Sequence, residues 1–179
     1  NIPLTLEFND KKTDLTGEDY KEIDFRYSEP LTAADNAMTF QTVVKTIARR
    51  NGLFADFSAK PLEDKPGNGF HINISVKSSD GTDTMNYLIA GILDKVEDMT
   101  IFLNPTENSY QRFGINKAPQ YISWSSENRS QLVRVPAAIG EYRRAELRSP
   151  DPSANTYLAF ALIIYAILDG IQNKLELPT

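Results

Sequence analysis

In the run RRAELR, residues 143–148, a strand would place Arg144, Glu146 and Arg148 on one face and Ala145 and Leu147 on the other, because successive side chains of a strand point to opposite sides. A carboxylate flanked by two guanidiniums is a site for a metal ion and an oxyanion together. The same alternation in FHINISV opposes Phe70, Ile72, Ile74 and Val76 to His71, Asn73 and Ser75. In EIDFRYS it opposes Ile23, Phe25 and Tyr27 to Glu22, Asp24 and Arg26. Three strands thus carry Glu22, His71 and Glu146, a ligand set suited to Mg²⁺ or Mn²⁺. Arg129, Arg134, Arg144 and Arg148 can grip carboxylate or phosphate bidentately and stabilise charge on a transferring phosphoryl group. Read one at a time, the ligands could equally be polar residues of a solvated sheet. The arginines could equally form a surface ladder with Glu127, Glu141 and Glu146. The loop PGNG, residues 66–69, precedes the His71 strand, and its glycines allow close backbone approach to a ligand.

The elements that must position these side chains follow from periodicity. Residues 1–21 read as loop or irregular, with turn residues throughout DKKTDLTGEDYKE. Strands are expected near 22–28, 53–58, 70–76, 120–125, 130–135 and 142–148. Helices are expected over 32–51, with Ala33, Ala37, Phe40, Val44 and Ile47 inward and Gly52 at the C-terminal cap, over 83–97, and over 153–174. Asp151 or Ser153 in SPDPSAN can cap the last helix, which makes that run a helix start rather than a site. Tyr121 and Trp124 read as packing residues, Asp35 as a helix-surface residue. The result is an α+β domain with a largely antiparallel sheet flanked by helices.

The 179 residues and 41% hydrophobic content suit one domain. A net charge of −5 argues against general nucleic-acid binding. Residues 129–148 nevertheless hold five arginines against two glutamates, a local balance of +3 that suits an anionic small molecule. With no cysteine there is neither a disulfide framework nor a thiolate metal site. The apolar run 157–168 is too short to span a bilayer, and a cytoplasmic protein is expected. A chain beginning with Asn and stopping just after a helix reads as an excised piece.

Several long motifs, in order, carry a resemblance: EIDFRYSEPLTAADNA (22–37), GNGFH (67–71), NPTENSYQRF (104–113), APQYISWSSENRSQLVRVP (118–136) and RRAELRSPDPSANTYLAFA (143–161). From about Glu22 onward the sequence resembles the catalytic domain of glutamine synthetase, which implies a largely antiparallel curved sheet with a polar concave face, flanked by helices. The resemblance implies ATP-dependent phosphorylation of the glutamate side chain, then displacement of phosphate by ammonia, with two divalent ions bridging the reacting groups. It implies Glu22, His71 and Glu146 as metal ligands and Gly67, Arg112, Arg129 and Arg148 as glutamate-binding, with Arg129 and Arg148 catalytic. Asn73, Ser75, Arg134 and Arg144 fall where the family binds ATP. Family members assemble into homo-oligomeric rings whose active sites form between subunits.

The sequence departs from the family pattern at definite points. Leu15 lies near an expected carboxylate, Lys117 replaces the acidic residue before the Ala–Pro pair, Pro66 stands where Asn is common and Asn73 where His is frequent. The expectation is therefore a partial catalytic domain over 1–179, with its family-like core at 22–179, an incomplete metal site and no ring formation or ligase activity by itself. Two alternatives are a γ-glutamyl ligase using another amine and a non-catalytic sensor or structural relative.

Overall fold

The computed structural model describes residues 4–11, 20–138, 140 and 143–178, and for 4–11 and 20–22 the description is of backbone. Leu15 and Glu141 lie outside the described residues. Six strands form one open sheet in the order β2-β1-β3-β6-β5-β4: β1 (Leu4–Lys11), β2 (Tyr20–Asp24), β3 (Phe70–Ile74), β4 (Trp124–Ser125), β5 (Val133–Arg134) and β6 (Ala145–Leu147). Only β4 and β5 pair in parallel; the other neighbours are antiparallel. Four helices accompany it: α1 (Pro30–Arg50), α2 (Met85–Leu103), α3 (Glu107–Tyr110) and α4 (Thr156–Gln172).

The strand β1 corrects the reading of residues 1–21 as loop or irregular. It lies between β2 and β3, with Leu4 opposite Ile74, Leu6 opposite Ile72 and Phe8 opposite Phe70. The alternation LTLEF is present in the sequence, but it is short and abuts a long polar run, so composition outweighed period. Residues 53–58 form no strand, and the adjacent Leu53 and Phe54 are both exposed. The strands at 22–28, 120–125, 130–135 and 142–148 exist but are shorter than expected.

The apolar parity of the strands builds the core. Phe70, Ile72, Ile74, Val133, Ala145 and Leu147 are all essentially inaccessible and pack with α2 and α4. Burying the side chains larger than that of Ala145 contributes about 1.5–3 kcal/mol each relative to exposure. Pro30 opens α1, where its missing N–H costs nothing, and Gly52 (φ 69°) follows the Asn51 cap in the left-handed region. Ile47, expected inward, is exposed; α1 instead turns Ala33, Ala34 and Ala37 inward, with Phe40, Val44 and Ala48 half-buried. Tyr121 is likewise exposed rather than packed, and Trp124 donates from Nε1 to Pro178 O at 2.9 Å. The cap of α4 is Asn155, whose side chain accepts from Leu158 N at 3.1 Å, rather than Asp151 or Ser153.

Helices α2 and α4 cross at a pair of glycines. A Cβ on Gly91 would lie 2.2 Å from Ala166 O, and one on Gly170 would lie 2.2 Å from Tyr87 O. These are backbone collisions, so the helices would have to separate. Gly91→Ala is expected to lower stability by about 1–3 kcal/mol, the usual cost of overpacking; an unchanged midpoint in urea denaturation would show that the crossing tolerates a wider spacing. No helix among the described residues is long and apolar enough to cross a membrane.

Candidate active site

The face of the sheet opposite the core is built by the same parity. Asn73 pairs with Glu146 across β3 and β6, and Glu146 with Arg134 across β6 and β5, so three polar side chains stand in one row. His71, one pleat along β3, brings Nδ1 to 3.4 Å from Glu146 Oε1. Arg134 Nη1 donates to Glu146 Oε2 at 3.0 Å, and Arg148 Nη1 donates to Glu146 Oε1. Arg144 Nε donates to Asn73 Oδ1 at 3.0 Å. The alternation of Arg144, Glu146 and Arg148 against Ala145 and Leu147 is therefore realised. The ion pairs with Glu146 are not a surface ladder: Glu146 and Arg148 are buried, and Arg134 is half-buried.

Arg112 enters from a different part of the chain. Asn104 and Pro105 end α2, and Thr106 caps α3 in a capping box, its hydroxyl accepting from Ser109 N at 3.1 Å while Thr106 N donates to Ser109 Oγ at 3.2 Å. This abrupt change of direction delivers Arg112, in the turn after α3, to the backbone that follows β6. Its Nη1 donates to Ser149 O at 2.8 Å and its Nη2 to Arg148 O at 3.1 Å. Burial lowers its pKa to about 10, still protonated at neutral pH, with Asp151 opposing the shift and Arg148 adding to it.

The PGNG loop closes over this cluster. Gly67 and Gly69 are the positions where absence of a side chain is required: a Cβ on Gly67 would meet Ala59 O at 2.4 Å and Arg112 Cγ at 2.9 Å, and one on Gly69 would meet Arg112 Nη2 and His71 Nε2 at 2.7 Å each. Asn68 N donates to Ala59 O at 2.7 Å and Asn68 Nδ2 to Ser58 O at 2.9 Å, which pins the loop. Asn108 clasps Lys60 through both backbone groups, accepting from its N at 2.6 Å and donating to its O at 2.8 Å, and so ties the loop's start to α3.

Electrostatically the site is positive around a neutral imidazole. His71 is held well below its usual pKa, first by burial and then by the charges of Arg148, Arg112 and Arg134. A neutral ring offers a lone pair to a cation at pH 7. His71 is the only histidine of the chain, so its titration can be followed without assignment by mutagenesis. In metal-free protein its ring resonances are expected to remain those of the neutral form at about pH 6.5, where an ordinary histidine is half protonated; a midpoint at or above 6.5 would contradict the buried, arginine-flanked setting.

Of the site residues anticipated from sequence, His71, Glu146, Arg112, Arg134 and Arg148 come together, with Gly67, Asn73 and Arg144 adjoining them. Ser75 follows β3 and is half-buried. Arg129 is exposed in the turn after β4 and is not among the charges acting on His71. Lys117 is exposed beside Asn116, which has a φ of 55°. For Glu22 only the backbone is described: it lies in β2 opposite Asn9 of β1. Glu7, which sequence reasoning passed over, sits in β1 directly opposite both His71 and Asp24; period-two reading of LTLEF would have flagged it. Among the described residues no three His, Asp or Glu side chains gather as a metal site. The fit to a divalent cation rests on the His71–Glu146 pair, with Gly69 leaving Nε2 clear of a Cβ. The Nε atoms of Arg134 and Arg148 are buried with no hydrogen-bond partner among the described residues, which fits an oxyanion beside them.

A mixed α/β domain with a neutral imidazole, a carboxylate and clustered guanidiniums on one sheet face belongs to the class that can hold an oxyanion next to a cation. Residues 11–179 match the family described as "Glutamine synthetase, catalytic domain", and the chain belongs to that family. Relatives named glutamine synthetase include one from Pyrococcus horikoshii, 46% identical over 170 residues covering 89% of this chain and 38% of the relative. One from Staphylococcus epidermidis is 43% identical over 194 residues, covering 98% and 44%. One from Clostridium saccharobutylicum is 45% identical over 174 residues, covering 90% and 39%. The chain thus spans about two-fifths of the length of these relatives.

Proposed function

We propose that these residues form part of the catalytic domain of an ATP-dependent ligase that joins ammonia to glutamate through a γ-glutamyl phosphate, the domain being completed by further chain. The observation that carries the reading is the assembly of Arg112, Arg148 and Arg134 around the buried His71–Glu146 pair, on segments matched by the family. In it Arg112 and Arg148 grip the carboxylates of glutamate, with the Gly67 backbone closing over the substrate. Arg129 meets the transferring phosphate, while Asn73, Ser75, Arg134 and Arg144 hold ATP. His71, Glu146 and Glu22 would hold Mg²⁺ or Mn²⁺, which would supply neutralisation of the charge on the transferring phosphoryl group. The chemistry needs no covalent nucleophile; fixed positive charge and alignment lower the barrier. The polar face of the sheet is read as the concave wall of the site, and ring assembly as a property of the complete protein.

A second reading keeps the site and changes the acceptor. Lys117, exposed in the turn that leads away from Arg112, stands where an acidic residue would attract ammonium, and a cation repels it. An organic amine is then the acceptor. The test is ATP-dependent phosphate release by the complete protein with glutamate and a panel of amines including ammonia. Glutamate-dependent release with ammonia supports the first reading, and release only with another amine supports the second. Absence of any glutamate-dependent release would leave a non-catalytic binding protein.

A further inference from the structure

The segment RSPDP, residues 148–152, runs between β6 and α4 and is buried throughout. Buried carbonyls require donors, and each of these five has at least one. Arg148 O and Ser149 O accept from Arg112 at 3.1 and 2.8 Å. Ser149 O also accepts from Asn104 Nδ2 at 2.7 Å. Pro150 O accepts from Phe70 N at 2.8 Å, Asp151 O from Ala154 N at 3.1 Å and Pro152 O from Gln41 Nε2 at 3.0 Å. The guanidinium read as gripping one carboxylate is therefore anchored on the backbone of Arg148, the residue read as gripping the other.

Two fully buried side chains hold that arrangement from behind. Asn104, at the C-cap of α2, uses both amide hydrogens on the segment, the second going to Asp151 Oδ2 at 2.9 Å. Asp151 Oδ1 accepts from Ser153 N at 2.9 Å, and Asp151 N donates to Leu103 O at 3.3 Å. Asp151 makes no ion pair with a described residue within contact distance, yet its charge acts on Arg112. Capping does not account for it, since Asn155 caps α4. We propose that Asn104 and Asp151 are positioning residues for Arg112 and Arg148: Asp151 holds the Asn104 amide and the turn that follows it, and Asn104 fixes the Ser149 carbonyl on which the Arg112 guanidinium is seated. The inference rests on the glutamate reading of the two arginines.

The experiment compares steady-state kinetics of the complete protein as wild type, Asp151→Asn, Asn104→Ser, Arg112→Ala and the Asp151→Asn/Arg112→Ala pair, varying glutamate and ATP separately. Asp151→Asn is expected to raise the KM for glutamate roughly tenfold or more, the scale of one lost hydrogen bond to a charged group, with the KM for ATP unchanged. In the Arg112→Ala background the same change should add nothing to the glutamate KM, because Asp151 acts through that side chain. Asn104→Ser should move the glutamate KM in the same direction, and it carries the comparison if Asp151→Asn does not fold. A merely structural role predicts a lower unfolding temperature and less active protein, with the glutamate KM intact and effects that add to Arg112→Ala; that result overturns the proposal. If Arg112→Ala itself leaves the glutamate KM unchanged, the glutamate reading falls and the positioning role falls with it.

Discussion

Replacing Glu146 by Gln is expected to destabilise the domain by about 3–5 kcal/mol, because it removes the one carboxylate that Arg134 and Arg148 share and leaves buried guanidinium charge uncompensated. The change is isosteric, so packing is preserved and the charge term is isolated. Its size follows from exposure: the Glu146 and Arg148 side chains are only 3% and 7% accessible, and water cannot replace the lost partner. Two controls sharpen the expectation. Sulfate should raise the stability of Glu146→Gln more than that of the wild type, since freed guanidiniums attract oxyanions and a ligand that binds only the folded state stabilises it. The paired change Glu146→Leu with Arg148→Met should recover much of the loss, since replacing a buried ion pair by apolar groups is often near neutral. Urea denaturation across these variants decides the matter; a loss under 1 kcal/mol for Glu146→Gln would mean that water reaches the pair.

The second large effect is expected on activity rather than stability. On the proposed ligase reading, Gly69→Ala in the complete protein should reduce kcat/KM for glutamate roughly a hundredfold, the scale on which a misplacement of about 1 Å acts. Its Cβ would stand 2.7 Å from Arg112 Nη2 and 2.7 Å from His71 Nε2, and both must retreat. Each is a side-chain atom rather than backbone, so the change costs the fold less than a backbone collision while it displaces the site directly. Gly67→Ala provides the contrast: its Cβ would collide with Ala59 O, a backbone atom, at 2.4 Å. That variant should lose about 1–3 kcal/mol of stability. If Gly69→Ala retained full activity in the complete protein, neither Arg112 nor His71 could be placed at the reacting groups.

The two expectations separate the roles within one cluster. Glu146 is a charge hub whose removal is felt by folding, because three cationic or imidazole neighbours converge on its two oxygens. Gly69 is a spacer whose value lies in what it does not occupy. A bound cation would change the balance at Glu146, since it would compete with the arginines for the same oxygens.

The faces of β3 and β6 were legible from the sequence alone, because alternation is a property of the local backbone: once FHINI and AEL are extended, His71, Asn73 and Glu146 must lie opposite Phe70, Ile72, Ala145 and Leu147. Helices α1, α2 and α4 were legible for the same reason, their apolar spacing being local, though packing moved their ends and turned Ile47 outward. What the tertiary structure decided is everything that depends on which distant groups must satisfy one another. The arrival of Arg112 beneath residues 148–149 is a contact 36 and 37 residues apart in sequence, and the Asn104–Asp151 bond spans 47. No period encodes such pairs; they form because a buried irregular segment needs a donor for every carbonyl. The insertion of β1 between β2 and β3 follows the same logic, since a strand takes the place where its backbone groups are paired and its register sets apolar positions opposite apolar ones. Sequence alone determined which side chains could share a face, through the chirality and pleat of the chain, and tertiary structure determined which of them meet, through the demand that buried polar groups be paired.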